Sequence, residues 1–320
     1  MIVNFLVLNI SVTRIVVLTE WNYGVNRKYG ILHLRPMLRR RAMQATCQPI
    51  QDDNFLSQAG FAVKCREHLI CGGGSGGTAL KNVYEWEPNH LMEIKSLNSG
   101  KVVCSSVYVP INQPNIDGIL IVAGGDTNGE MGGIVQSLDI EYLVINDSFR
   151  YNEWRVCKDK LPYNIYDHGI NILENKLILT GAGHYESLVT TNTEWKGEIS
   201  FQQELRIKWT PLPPMTEKRL YNLTVVIDDT LYCIGGRGLK SVECFSFATN
   251  YWVEGPVLPF TLYMSKCVVN PITNHCFILG GSQDRKWSTK VYLFDPKKGL
   301  IDVQGETNMA RCTTQIAVLL

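Results

Sequence analysis

Five strings in the chain repeat one design: HLICGGG (68–74), ILIVAGG (119–125), KLILTGAG (176–183), TLYCIGG (230–236) and HCFILGG (275–281). Each is an apolar run closed by Gly-Gly or Gly-x-Gly. Their first glycines stand at 72, 124, 181, 235 and 280, in steps of 52, 57, 54 and 45 residues. Recurrence at such a spacing demands one structural unit copied along the chain, which constrains the fold more than any local motif does.

A polar stretch follows each glycine pair, and then a second run carrying aromatics. KNVYEWEPN (81–89), SVECFSFATNYW (241–252) and KVYLFDPKKG (290–299) are the clearest. SLDIEYLVINDSFRYNEW (137–154) is weaker, and NTEW with KGEISFQQELRIKW (192–209) is the most divergent. Three of these runs reach a tryptophan, Trp154, Trp209 and Trp252, before a proline turn, LPYN, LPPM or LPF. Another apolar run then begins, such as NLTVVIDD. No segment carries a helical period. One unit is therefore four short strands. A lone four-stranded antiparallel sheet leaves a face uncovered, but sheets stacked around an axis cover one another and keep their edges short. Glycine pairs suit positive φ and close backbone approach where an inner strand ends.

These features resemble the kelch repeat, in which Gly-Gly is followed by a Tyr-Asp-Pro-like strand, a Trp, a Leu-Pro-Pro-Met turn and an Arg. WTPLPPMTEKRLYNLTVVIDDTLYCIGG (209–236) and KVYLFDPKK (290–298) match best. The resemblance implies an all-β, six-bladed kelch-type β-propeller of four-stranded antiparallel blades, one domain over 1–320. It also implies a ring closed within one blade, by about 1–35 and 307–320. At the N-terminus, VVLTEWN (16–22), Tyr29 and LRPM (34–37) are expected to be the last two strands of that blade, preceded by an inner strand near 3–8. TNMARCTTQIAVLL (307–320) is expected to supply its first strand, removing two free edges.

Gly72, Gly74 and Gly77 also fit G-x-G-x-x-G. A dinucleotide turn needs a helix there, whose N-terminus holds the pyrophosphate. TALKNVYEW follows instead and reads as strand, and the four sister sites lack the pattern. No cofactor is expected. H-E-x-x-H, P-loop, G-x-S-x-G and EF-hand patterns are absent from the sequence.

The six histidines, 33, 68, 90, 168, 184 and 275, form no H-x-H or i, i+4 pair, and the ten cysteines form no C-x-x-C. No metal site is expected. Most of the cysteines lie in apolar runs and read as reduced thiols filling the core, in keeping with a cytoplasmic location. The opening MIVNFLVLNISVTRIVVLTEW lacks a basic n-region and is broken by polar residues, so it reads as strands rather than as a targeting segment. A formal net charge of +1, from 31 basic and 30 acidic residues, supplies no field for nucleic acid or a membrane. The run LRRRA (38–42) stands at a strand turn of this near-neutral chain and does not alter that reading.

The residues before first strands and after glycine pairs are expected to converge on one face. Before first strands stand Arg39, Arg40 and Arg41, Tyr166 and His168, Arg219 and Tyr221, Tyr263, and Arg311. After glycine pairs stand Ser75, Asp126 and Asn128, His184 and Tyr185, Arg237, and Ser282 to Arg285. Arg and Tyr dominate interface hot spots, and Arg clamps carboxylates bidentately. The expected partner-binding set is Arg40, Arg41, Tyr166, His168, Arg219, Tyr221, Arg237, Tyr263, Arg285 and Arg311. The resemblance implies that Arg40 or Arg41, Arg219 and Arg311, each after a Pro-Met-like turn, face the ligand.

The expected function is a protein-interaction module for an acidic protein or peptide partner. The kelch resemblance implies a substrate-recognition or scaffold domain of the ubiquitin ligase adaptor or actin-associated kind, with no catalytic constellation. No BTB, BACK or F-box segment is recognised in these 320 residues, so an adaptor role would draw on sequence elsewhere. The alternative is a sugar-acting enzyme resembling the kelch-type sialic acid epimerases, with an acid/base group at the axis.

Overall fold

The computed structural model describes residues 13–17, 29–37, 42–50, 60–66, 68–75, 78–87, 90–127, 137–146, 148, 151–163, 168–181, 183–184, 189–190, 192–269, 274–306 and 317–319. Among them every regular element is a β-strand. Four separate four-stranded sheets follow in chain order. Sheet A is Phe61–Cys65, His68–Gly72, Val83–Glu87 and His90–Ile94. Sheet B is Ser105–Gln113, Ile116–Ala123, Ile140–Asn146 and Arg155–Val156. Sheet C is Gly169–Leu173, Lys176–Thr180, Trp195–Phe201 and Leu205–Pro211. Sheet D is Leu223–Ile227, Thr230–Ile234, Val242–Ser246 and Tyr251–Glu254. Within each, consecutive strands pair antiparallel.

A further eight-stranded sheet has two antiparallel halves. Half E is Lys266–Val269, Cys276–Leu279, Lys290–Asp295 and Gly299–Glu306. Half F runs Ala317–Leu319, Thr13–Val17, Tyr29–Met37 and Ala42–Ile50, so strands from both ends of the chain share it, with Val16 opposite Val318. A short parallel pairing, Gln304 to Gln44 and Gly305 to Ala45, joins the halves. Half F departs from the expectation. Its N-terminal strands are Thr13–Val17, Tyr29–Met37 and Ala42–Ile50, so the contribution extends to Ile50, beyond residue 35. LRPM lies inside the strand Tyr29–Met37, where Pro36 is one residue from the strand end and its missing N–H is tolerated. The expected inner strand near 3–8 lies outside the described residues.

The first strands lie side by side: A against B, B against C, C against D, D against E, E against Ala317–Leu319, and Ala317–Leu319 against A. Burial on both faces explains the unbroken apolar second strands. In Ile116–Ala123, alternate residues face opposite neighbours. Ile119, Ile121 and Ala123 pack with Ile170, Leu177 and Leu179 of sheet C. Leu120 and Val122 pack with Phe61, Ile70 and Val83 of sheet A. Leu173 and Ile178 meet Leu231 and Phe245 across C and D, and Val225 and Val242 meet Ile278 and Phe294 across D and E. Each such buried aliphatic side chain contributes about 1.5–3 kcal/mol.

The glycine pairs mark where the link into the next sheet crosses the end of a second strand. Gly73 and Gly235 have φ of 65° and 63°. Gly74 N–H donates to Lys101 O at 2.6 Å, and Gly236 N–H donates to Leu262 O at 2.8 Å. A Cβ on Gly73 would lie 2.8 Å from Lys101 O. Two N–H groups of the dinucleotide-like turn, those of Gly73 and Gly74, are therefore committed to protein carbonyls, Gly73 N–H going to Asn82 O at 3.0 Å. The element after it is the strand Val83–Glu87.

Candidate partner-binding face

The link into a first strand is built alike in sheets B and D. Lys101 and Arg219 each stand four residues before their strand, which starts at Ser105 or Leu223. Each meets a glutamate at the second position of the third strand, Glu141 or Glu243. Glu141 accepts from Asn98 N–H at 2.6 Å and Ser99 N–H at 3.1 Å. Glu243 accepts from Thr216 N–H at 2.7 Å and Glu217 N–H at 3.1 Å. A tryptophan fastens the same link: Trp154 Nε1–H donates to Lys95 O, and Trp252 Nε1–H to Pro213 O, both at 2.8 Å.

This construction corrects the expectation for Arg219. Its side chain is 0% exposed, and its guanidinium donates to Gly235 O at 2.6 Å, Ser241 O at 3.0 Å and Glu243 Oε1 at 3.0 Å. It holds the link against sheet D and presents no surface to a partner. His168 is also buried, at 6% exposure, so it does not belong to an outer face either. Arg40, Arg41, Tyr166 and Arg311 lie outside the described residues. The strand after the two arginines, Ala42–Ile50, is the last of its sheet half and not a first strand.

Four of the expected residues are brought together where D meets E. Arg237 N–H donates to Leu220 O at 2.8 Å, and Met264 N–H donates to Tyr221 O at 3.0 Å. Leu262–Tyr263 pairs with Ser282–Gln283, which turns through Asp284 and Arg285 into Lys286–Trp287. Thr261 N–H donates to Asp284 Oδ1 at 2.9 Å, and that bond holds the Asp284 carboxyl below its ordinary range. Tyr221, Asp284 and Arg285 take positive φ. The loops are thus fixed by backbone pairing. Arg237, Arg285 and Lys286 are exposed, Trp287 is 38% exposed, and Tyr221 and Tyr263 are half-buried.

Residues 218–258, spanning this link and sheet D, match the family model described as the Kelch motif. These residues carry a kelch motif. A stretch of 155 residues is 26% identical to Kelch repeat and BTB domain-containing protein 2 of Cowpox virus (strain GRI-90 / Grishak), covering 47% of this chain and 26% of that protein. A stretch of 190 residues is 25% identical to Spermatocyte protein spe-26 of Caenorhabditis elegans, covering 56% of this chain and 30% of that one. The matched stretches thus span under a third of these relatives' lengths. The fold matches the solved structure of YjhT with a TM-score of 0.64 at 12% identity, over 85% of this chain and 90% of that one. The several four-stranded antiparallel sheets thus share the fold of that structure.

Sequence reasoning missed Glu141, Glu243 and Lys101. The available signal was register. NSGK (98–101) and TEKR (216–219) end at the same distance before a first strand. Among the described residues, no three of His, Cys, Asp or Glu gather as a metal site would require.

Proposed function

We propose that this chain is a ring-closed, six-bladed kelch propeller that binds an acidic protein or peptide through the loops where D meets E. Closure is supported by the sequence of neighbouring first strands, which returns from Ala317–Leu319 to Phe61–Cys65. One observation carries the binding role. Exposed Arg237, Arg285 and Lys286 stand beside Trp287 on loops whose backbones are already tied, so little ordering cost opposes binding. Kelch domains generally bind proteins. A substrate-recognition or scaffold role, of the ubiquitin ligase adaptor or actin-associated kind, is the setting in which such a module serves. Buried free thiols such as Cys71 and Cys233 favour a reducing, cytoplasmic setting.

The test is peptide display against the purified chain, followed by fluorescence anisotropy. Acidic peptides are expected, and R237A/R285A is expected to weaken them at least about tenfold, an effect of about 1.4 kcal/mol, without lowering the melting temperature. Selected peptides without acidic residues, or unchanged affinity in the double variant, would discredit this face. The sugar-acting reading has one observation in its favour, a buried imidazole near the axis, and is checked by NMR of sialic acid anomer exchange. Rate enhancement there would replace the pure binding role.

A further inference from the structure

Lys101 occupies in sheet B the place that Arg219 occupies in sheet D, but it is not satisfied in the same way. Both Glu141 oxygens are already engaged, Oε2 by Asn98 and Oε1 by Ser99. The Lys101 ammonium lies 3.7 Å from Oε1, is 0% exposed, and has no hydrogen-bond partner. An ammonium carries three donors, and burying them unmatched is costly.

Other unmatched groups lie nearby. Ser105 Oγ donates to His168 O, binding the start of sheet B's first strand to that of sheet C. Both ring nitrogens of His168 are buried without a partner. Lys266, the first residue of sheet E's first strand, is half-buried with no ion pair among the described residues. Burial, with the charges of Lys266 and Lys101, keeps the His168 imidazole neutral, its pKa lowered to about 3. The same two lysines counter the burial that pushes the neighbouring Cys104 thiol up to about 11, while Glu141 adds to the rise. Two cations and a neutral imidazole thus come from three sheets to the innermost strands. The carboxylate acting there, Glu141, is saturated.

We propose that the innermost strands hold a binding site for a small oxyanion, of the carboxylate or phosphate class, between Lys101, Lys266 and His168. Two ammonium groups supply charge, and a His168 N–H supplies a directed donor. The site is separate from the loops where D meets E, and either can fail without the other.

The experiment titrates inorganic phosphate and acetate into the isotopically labelled chain, with chloride at equal ionic strength as the reference. It follows the His168 ring resonances and the melting temperature. A saturable His168 shift with phosphate or acetate is expected, and the tighter of the two assigns the class. K266M is expected to keep its unliganded melting temperature and to bind at least tenfold more weakly. K101M is expected to lose binding as well, but it also strands Glu141, so K266M decides. A response without saturation, an equal response to chloride, or unchanged affinity in K266M overturns the site.

Discussion

Replacing Arg219 with methionine removes a guanidinium that is 0% exposed and leaves Glu243, itself 3% exposed, without its cation. Methionine matches the aliphatic stem, so the loss is mainly electrostatic. Gly235 O and Ser241 O lose a donor, and Glu243 keeps its bonds from Thr216 and Glu217 N–H. Breaking a buried pair from one side costs about 3–5 kcal/mol. With a urea slope of about 3 kcal/mol/M, the midpoint should fall by about 1–1.7 M. R219M/E243Q should recover part of the loss, because glutamine keeps an acceptor for the two N–H groups without the stranded charge. A coupling of about 1–3 kcal/mol is expected from the cycle. Equilibrium urea unfolding, followed by tryptophan fluorescence, measures all four proteins. A loss below about 1 kcal/mol in R219M, or a double variant as damaged as the sum of the singles, would refute the role of Arg219 in holding the link against sheet D.

Two further outcomes follow from buried groups. Gly73→Ala should cost at least about 2 kcal/mol in the same assay, since alanine pays about 1–2 kcal/mol for the left-handed backbone and its Cβ meets Lys101 O; a neutral result would show that the crossing can shift. Burial, aided by the Glu243 carboxylate, raises Glu194 from 4.5 to about 9, so the folded chain holds a proton that the unfolded chain releases. Stability from this group is complete below the unfolded value and is lost as pH rises toward about 9, by up to about 1.4 kcal/mol per pH unit. Glu194→Gln should therefore flatten the fall in urea midpoint between about pH 5 and about pH 9; parallel profiles would contradict the protonated carboxyl.

The repeat was legible in the amino acids because strand burial obeys a period of two and glycine marks where backbones must cross. Cys71 and Ile234 sit where the apolar runs place them, and Val83–Glu87 is the strand that its alternation predicts. Arg219 was misplaced because it lies in a link, where no period says which way a side chain points. Its direction follows from Gly235 O and Glu243 standing beneath the crossing. In the half sheet at the chain ends the N-terminal share was read as stopping near residue 35, since Pro36 looks like a turn locally and is carried by its neighbours in the sheet.

By itself the amino-acid order determined that units of about 50 residues would form four-stranded sheets, since only mutual stacking buries both faces of such apolar strands. Tertiary structure alone decided which polar residues go inward. Lys101, His168 and Lys266 lie far apart in the chain and meet only because three sheets turn their first strands together, and Arg237 and Arg285 share a surface only because the Leu262–Tyr263 pairing carries one loop against another. Long-range juxtaposition of that kind has no local period to announce it.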